Sequence, residues 1–162
     1  MSGFAEGAVV VGKDGSVLRW HLPPGRTASH IPDDRDFAMF LWDRREDILG
    51  VAHTHPGSVM PSPSVEDLTT FQAVEAGLGL RFKWWILSGV HETEWSWKGP
   101  GPYDYSKDVA CLTNFSGINH PPSFIKVYLN NGRNLYPPWV KELRERSRQH
   151  RDEVATKTQP GE

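Results

Sequence analysis

Ile48-Leu49-Gly50-Val51-Ala52-His53-Thr54-His55-Pro56, and after a short gap Pro63-Ser64-Val65-Glu66-Asp67-Leu68, decide the fold class of this 162-residue chain. Ile48 to His53 is a short apolar run ending on polar residues, which reads as a buried strand. Pro56 to Pro63 holds three prolines, two serines and one glycine, so it is a loop. Ser64 and the acid three positions on form a helix-start signature, because each side chain can satisfy the other residue's free backbone N–H. Leu68, Phe71, Val74 and Leu78 then recur at helical spacing, and Gly77 or Gly79 ends the run. A strand feeding a loop and then a capped helix is the unit from which layered α/β domains are built.

The same stretch carries the candidate chemistry. Residues i and i+2 of a strand share a face, so His53 and His55 project together, with Cα atoms about 6.6 Å apart at about 3.3 Å rise per residue. Imidazoles at that separation can converge on one ion. A catalytic zinc takes three protein ligands and keeps its fourth position for water. Asp67, in the first turn of the expected helix, is the best third ligand.

Working outward, Val9 to Val11, an Asp14-Gly15 turn and Ser16 to Leu22 read as a hairpin. Pro23-Pro24-Gly25 breaks it, and loop is expected to Pro32. Asp33 or Asp34 caps a helix expected to run to about Asp47, with Phe37, Phe40, Leu41 and Ile48 near one face. Arg81 to Leu87 reads as a strand, and Glu92 to Lys98 as another with Trp95 and Trp97 on one face. The tryptophans between Trp84 and Trp97 suit a core, or the wall of a substrate groove. Gly99 to Pro122 shows no clear periodicity, and Tyr103 and Tyr105 within it are candidates for a substrate-facing flap. Phe124 to Leu129 alternates like a strand before an Asn131-Gly132 turn. Trp139 to about Glu153 reads as a helix. The expected fold class is α/β or α+β layered, with a mixed central sheet flanked by helices. Residues 1–135 form the domain, 136–153 a C-terminal helix, and 154–162 a disordered tail.

Composition excludes several functions. Basic and acidic side chains number 18 and 20, a net charge of −2, so no broad basic surface for nucleic acid is expected. The arginines from Arg144 to Arg151 are interleaved with acids and read as a solvated helix face. Cys111 is the single cysteine, which rules out an internal disulfide. The first residues lack a basic region followed by an apolar run, and no apolar stretch approaches a membrane span, so a cytoplasmic protein with no membrane association is expected.

His-x-His-Pro, a short loop and Pro-Ser-x-x-Asp-Leu together resemble the JAMM motif of the MPN-domain metallopeptidases, prokaryotic type. The glutamate that the family places before an early strand is matched by Glu6, ahead of Gly7-Ala8-Val9-Val10-Val11-Gly12. Glu46 and Glu66 are its rivals. The resemblance covers roughly residues 4 to 90, and the loop after His55 is one residue longer than the family's usual spacing. Only five residues precede Glu6, so the C-terminal helix or a partner is expected to cover one face of the core.

The resemblance implies a cytidine-deaminase-like architecture and one Zn2+ ion held by His53, His55 and Asp67. It implies Glu6 as general base and then acid, and Ser64 as hydrogen-bond donor to the reacting carbonyl oxygen. The implied reaction is hydrolysis of a peptide or isopeptide bond in a protein or peptide substrate. The C-terminal tail of a ubiquitin-like protein is the implied class, bound extended beside a sheet edge. The alternative is a RadC-like or MPN-type protein of the same fold that binds partners without peptidase activity.

Overall fold

A computed structural model describes residues 3–112 and 137–148. Its centre is a six-stranded mixed sheet in the order β2-β1-β3-β4-β5-β6. The strands are β1 (Ala8–Gly12), β2 (Val17–His21), β3 (Ile48–Thr54), β4 (Lys83–Leu87), β5 (His91–Trp97) and β6 (Tyr105–Leu112). The helices are α1 (Arg35–Asp43), α2 (Val65–Leu78) and α3 (Pro138–Arg148). Among the described strands only β3 and β4 pair in parallel, because α2 carries the chain across between them; the other pairs are antiparallel.

Alternation along the strands sorts the core into two layers. Val9, Val11, Ala52, Trp85 and Leu87 face Trp139, Val140 and Leu143 of α3. Ala8, Val10, Val51 and Trp84 face the other way, toward Leu41 of α1 and Phe71 of α2. Helix α3 therefore covers this first face of the sheet. The tryptophans of β4 are core, with Trp84 and Trp85 only 3% and 0% exposed. Gly50 interrupts the alternation where the β1–β3 register shifts. A Cβ there would lie 2.1 Å from the Lys83 carbonyl oxygen, so only glycine lets β3 and β4 approach this closely.

Several boundaries differ from expectation. The helix after Asp34 stops at Asp43, and Arg45–Asp47 forms a 3-10 turn that swings the chain into β3. Lys13 N–H closes that turn on the Asp47 carbonyl at 2.9 Å. Tyr105 opens a sixth strand that sequence periodicity missed, so it is not a flap; its hydroxyl donates to the buried Glu75. Arg144 is not on a solvated face: it points inward and donates to the Ser88 and His91 carbonyls at 2.7 and 3.0 Å and to Glu92. The proposed strand Phe124 to Leu129, the Asn131-Gly132 turn, the far end of the last helix and the tail lie outside the described residues. No helix among the described residues is long and apolar enough to cross a membrane.

Candidate metal centre

The centre forms where β3 ends and α2 begins. Alternation puts His53 on the α2 side of the sheet, edge-on to Phe71 with ring centroids 6.3 Å apart. Thr54, between the histidines, points to the opposite face. Its hydroxyl accepts from Gly7 N–H at 3.0 Å and meets the Ser147 hydroxyl of α3 at 2.8 Å. These bonds tie the end of β3 to Gly7 and to α3 between the two imidazoles. His55 N–H donates to the Leu87 carbonyl at 2.9 Å, carrying the β3–β4 pairing one residue past the strand.

The longer loop 56–63 is tied down rather than loose. Gly89 N–H donates to the Gly57 carbonyl at 2.8 Å, and the Thr93 hydroxyl to the Pro61 carbonyl at 3.0 Å. The loop delivers Ser64 as N-cap of α2. Ser64 Oγ accepts from Asp67 N–H at 3.0 Å, while Asp67 Oδ2 accepts from Ser64 N–H at 2.9 Å. The reciprocal cap thus also fixes the Asp67 carboxylate, which turns back over the histidines. At the other end, Gly79 adopts φ 71° and closes the helix.

His53 Nε2 and His55 Nε2 lie 3.1 Å apart. Asp67 Oδ2 is 3.0 Å from His55 Nε2, and Oδ1 is 3.2 Å from His53 Nε2. Around one zinc at about 2.0–2.1 Å, tetrahedral ligand atoms are separated by about 3.3–3.4 Å. The observed spacing is close to that. Two facing imidazole nitrogens and a carboxylate have too few protons among them to satisfy every pair, whereas one shared cation satisfies all three. The three residues can hold a metal ion.

Charge around the trio is consistent with this role. Partial burial of Asp67 by itself raises its pKa, but hydrogen bonds from His53, His55 and the Ser64 backbone hold it well below the usual carboxylate range. Burial pushes His55 down, and the Asp67 bond with the Glu6 charge outweighs it, so the imidazole is raised.

Glu6 stands beside the trio, 8% exposed. The Ala8–His53 pairing and the two-residue period of the strand put it on the histidines' face. Burial raises its pKa; the nearby His53 and His55 oppose that shift and Asp67 adds to it. Its backbone is anchored from three directions. Glu6 N–H donates to the Thr27 carbonyl at 2.8 Å, and Ala5 N–H donates to the Ser147 carbonyl at 3.0 Å. The buried Arg26 guanidinium donates to the Ala5 and Glu6 carbonyls, each at 3.2 Å, and to the Arg146 carbonyl at 3.4 Å. Sequence reading did not single out Arg26 or Thr54, since each works through distant partners. Of the rival glutamates, Glu46 is exposed in the 3-10 turn, and Glu66 is exposed at the edge of the cleft beside His53, His55 and Asp67.

That cleft, of about 780 Å3, opens between α1 with its preceding loop and α2. Glu6, His53 and Asp67 form one end of it. His21 lines it too, stacked on Phe37 at 3.8 Å between ring centroids. Burial lowers the His21 pKa to about 4, against the pull of Asp34, with Arg19 adding to the drop. Among known proteins, no family model matches the chain and no curated protein matches it. The functional reading therefore rests on this geometry.

Proposed function

We propose that the chain is a zinc-dependent hydrolase of peptide or isopeptide bonds, with the C-terminal tail of a ubiquitin-like protein as the substrate class. One observation carries the reading: two imidazoles and one carboxylate converge with a buried glutamate beside them. Three protein ligands with room for a fourth position is the pattern of catalytic rather than structural zinc. His53, His55 and Asp67 would hold the ion. When bound, zinc supplies Lewis acidity, polarising a carbonyl and lowering the pKa of water from 15.7 to about 7.

The residues themselves move the protons. Glu6 Oε accepts a proton from the attacking water and returns it to the departing nitrogen, serving as base and then acid. Its burial suits both steps, since a carboxylate with few competing waters exchanges a proton more readily near neutral pH. Ser64 Oγ already accepts from Asp67 N–H. Its own hydrogen is then directed to the substrate carbonyl oxygen, a contact typically worth about 2.7–4 kcal/mol as charge develops there. Arg26, bonded to the Glu6 carbonyl, and Ser147, bonded to the neighbouring Ala5 N–H, act as positioning residues by holding the Glu6 backbone in place.

Metal analysis of purified protein, followed by cleavage assays on ubiquitin-like fusions, tests the reading. Wild type should bind one zinc, and a His53→Ala, His55→Ala double variant none. Glu6→Gln should keep the zinc and lose turnover. Stoichiometric zinc in the double variant, or full activity in Glu6→Gln, would refute the assignments.

A further inference from the structure

Helices laid on a sheet normally seal against it, leaving few voids larger than a water molecule. The cleft between α1 and α2 departs from that rule: at about 780 Å3 it has the size of a ligand site. Its floor is sheet and helix core, with Val51, Phe71 and Trp84. Phe37, Leu41 and Val74 form its walls. At its exposed mouth stand Asp33, Asp34 and Glu66, with Arg35 and His30 among them, while the buried His21 lines it further in. Asp34 is already engaged as the α1 cap, accepting from Asp36 and Phe37 N–H.

The cleft also runs without interruption into the end that holds Glu6, His53 and Asp67. A side chain seated on the apolar floor would therefore belong to a residue next to the bond presented to that end. We infer that this cleft is a specificity pocket, taking one bulky apolar side chain from the residue adjoining the scissile bond. The inference rests on the hydrolase reading above. Phenylalanine or leucine fits the floor. The acidic mouth favours neutral or basic neighbours and opposes acidic ones.

A set of capped pentaglycine peptides, each with one interior residue changed to Phe, Leu, Lys or Glu, tests the pocket. Thr70→Trp and Ala38→Trp fill it from opposite walls, and both positions are exposed, so neither change disturbs the core. With the zinc-loaded protein, kcat/KM for the Phe and Leu peptides should exceed that for the Glu peptide and for unmodified pentaglycine by about tenfold to a hundredfold. Either tryptophan should erase most of that preference while zinc content stays the same. Binding of the same peptides to zinc-free protein, followed by NMR shifts of the α1 and α2 amides, should show the same order and the same loss. Cleavage without preference, or a preference that survives both variants, would overturn the pocket and leave the hydrolase reading standing. Selective binding lost in both variants, with no cleavage of any peptide, would support the pocket and overturn the hydrolase. Neither selective binding nor cleavage would overturn both.

Discussion

Replacing Glu75 with alanine should be among the most damaging single changes outside the candidate metal centre. Glu75 is 2% exposed, on α2 two turns beyond Asp67. Its Oε2 accepts from Phe82 N–H at 2.9 Å and from Trp84 Nε1–H at 2.7 Å. Its Oε1 accepts from Arg81 at 2.8 Å and from the Tyr105 hydroxyl. Burial and this bond push the Tyr105 hydroxyl upward in pKa. Alanine would strand two buried donors, at about 1–3 kcal/mol each. Arg81 is half exposed and Tyr105 partly so, and both regain water. The expected loss is about 4 kcal/mol, or a fall of roughly 10 °C in Tm for a chain of this length. Glutamine can keep its carbonyl oxygen on Phe82 and Trp84 and should lose only about 1–2 kcal/mol. Urea unfolding followed by tryptophan fluorescence, read as a midpoint change at constant slope, measures both variants. An alanine variant within about 1 kcal/mol of wild type would refute the claim that this carboxylate pins α2 to the sheet.

Other consequences are equally direct. Gly50→Ala forces a Cβ onto the Lys83 carbonyl and should cost about 3 kcal/mol, or leave the protein insoluble; a soluble variant with an unchanged urea midpoint would contradict the close approach. His21 has a folded pKa of about 4, below its ordinary value of 6.5, so the fold favours the neutral ring. Its contribution is intact above about pH 6.5 and is lost as pH falls toward 4, a loss on the order of 1–2 kcal/mol after allowance for solvent in the cleft. His21→Phe should flatten the stability curve across that window, and an unchanged slope would exonerate the histidine. Zinc at a thousandfold excess over its Kd should raise wild-type stability by about 4 kcal/mol. Asp67→Asn should lose most of that gain in thermal melts with zinc against chelator; an equal gain would remove Asp67 from the ligand set.

The parts of the molecule that could be read from sequence are those written locally. His53 and His55 share a face by strand period alone, and Ser64 with Asp67 spells a helix start within four residues. Phe71 and Val74 betray α2 by spacing. The hairpin is legible through Asp14-Gly15. What escaped depends on partners far along the chain. Tyr105-Ser106-Lys107-Asp108 lacks an alternating apolar pattern and is a strand because β5 pairs with it, aided by Ser96, Lys83 and Lys98 around Asp108. Arg44 leaves helical geometry because the chain must turn into β3, although Arg45-Glu46-Asp47 would tolerate another helical turn. Arg26 reaches Arg146, 120 residues away, and nothing around it announces that. Glu75 left a trace: an acid four positions after Phe71, on the apolar stripe of a helix, is a buried carboxylate awaiting donors. The cleft left none, since absence of packing has no sequence signature.

The tie between Ala5 N–H and the Ser147 carbonyl, with Arg26 bridging to Arg146, joins the first described residues to the last helix. A ribosome makes these ends in order, so the histidines and Asp67 emerge long before the helix that steadies Glu6. A half-made chain already has His53, His55 and Asp67 yet lacks the Ser147 and Arg146 carbonyls that hold Ala5 and Arg26 in place.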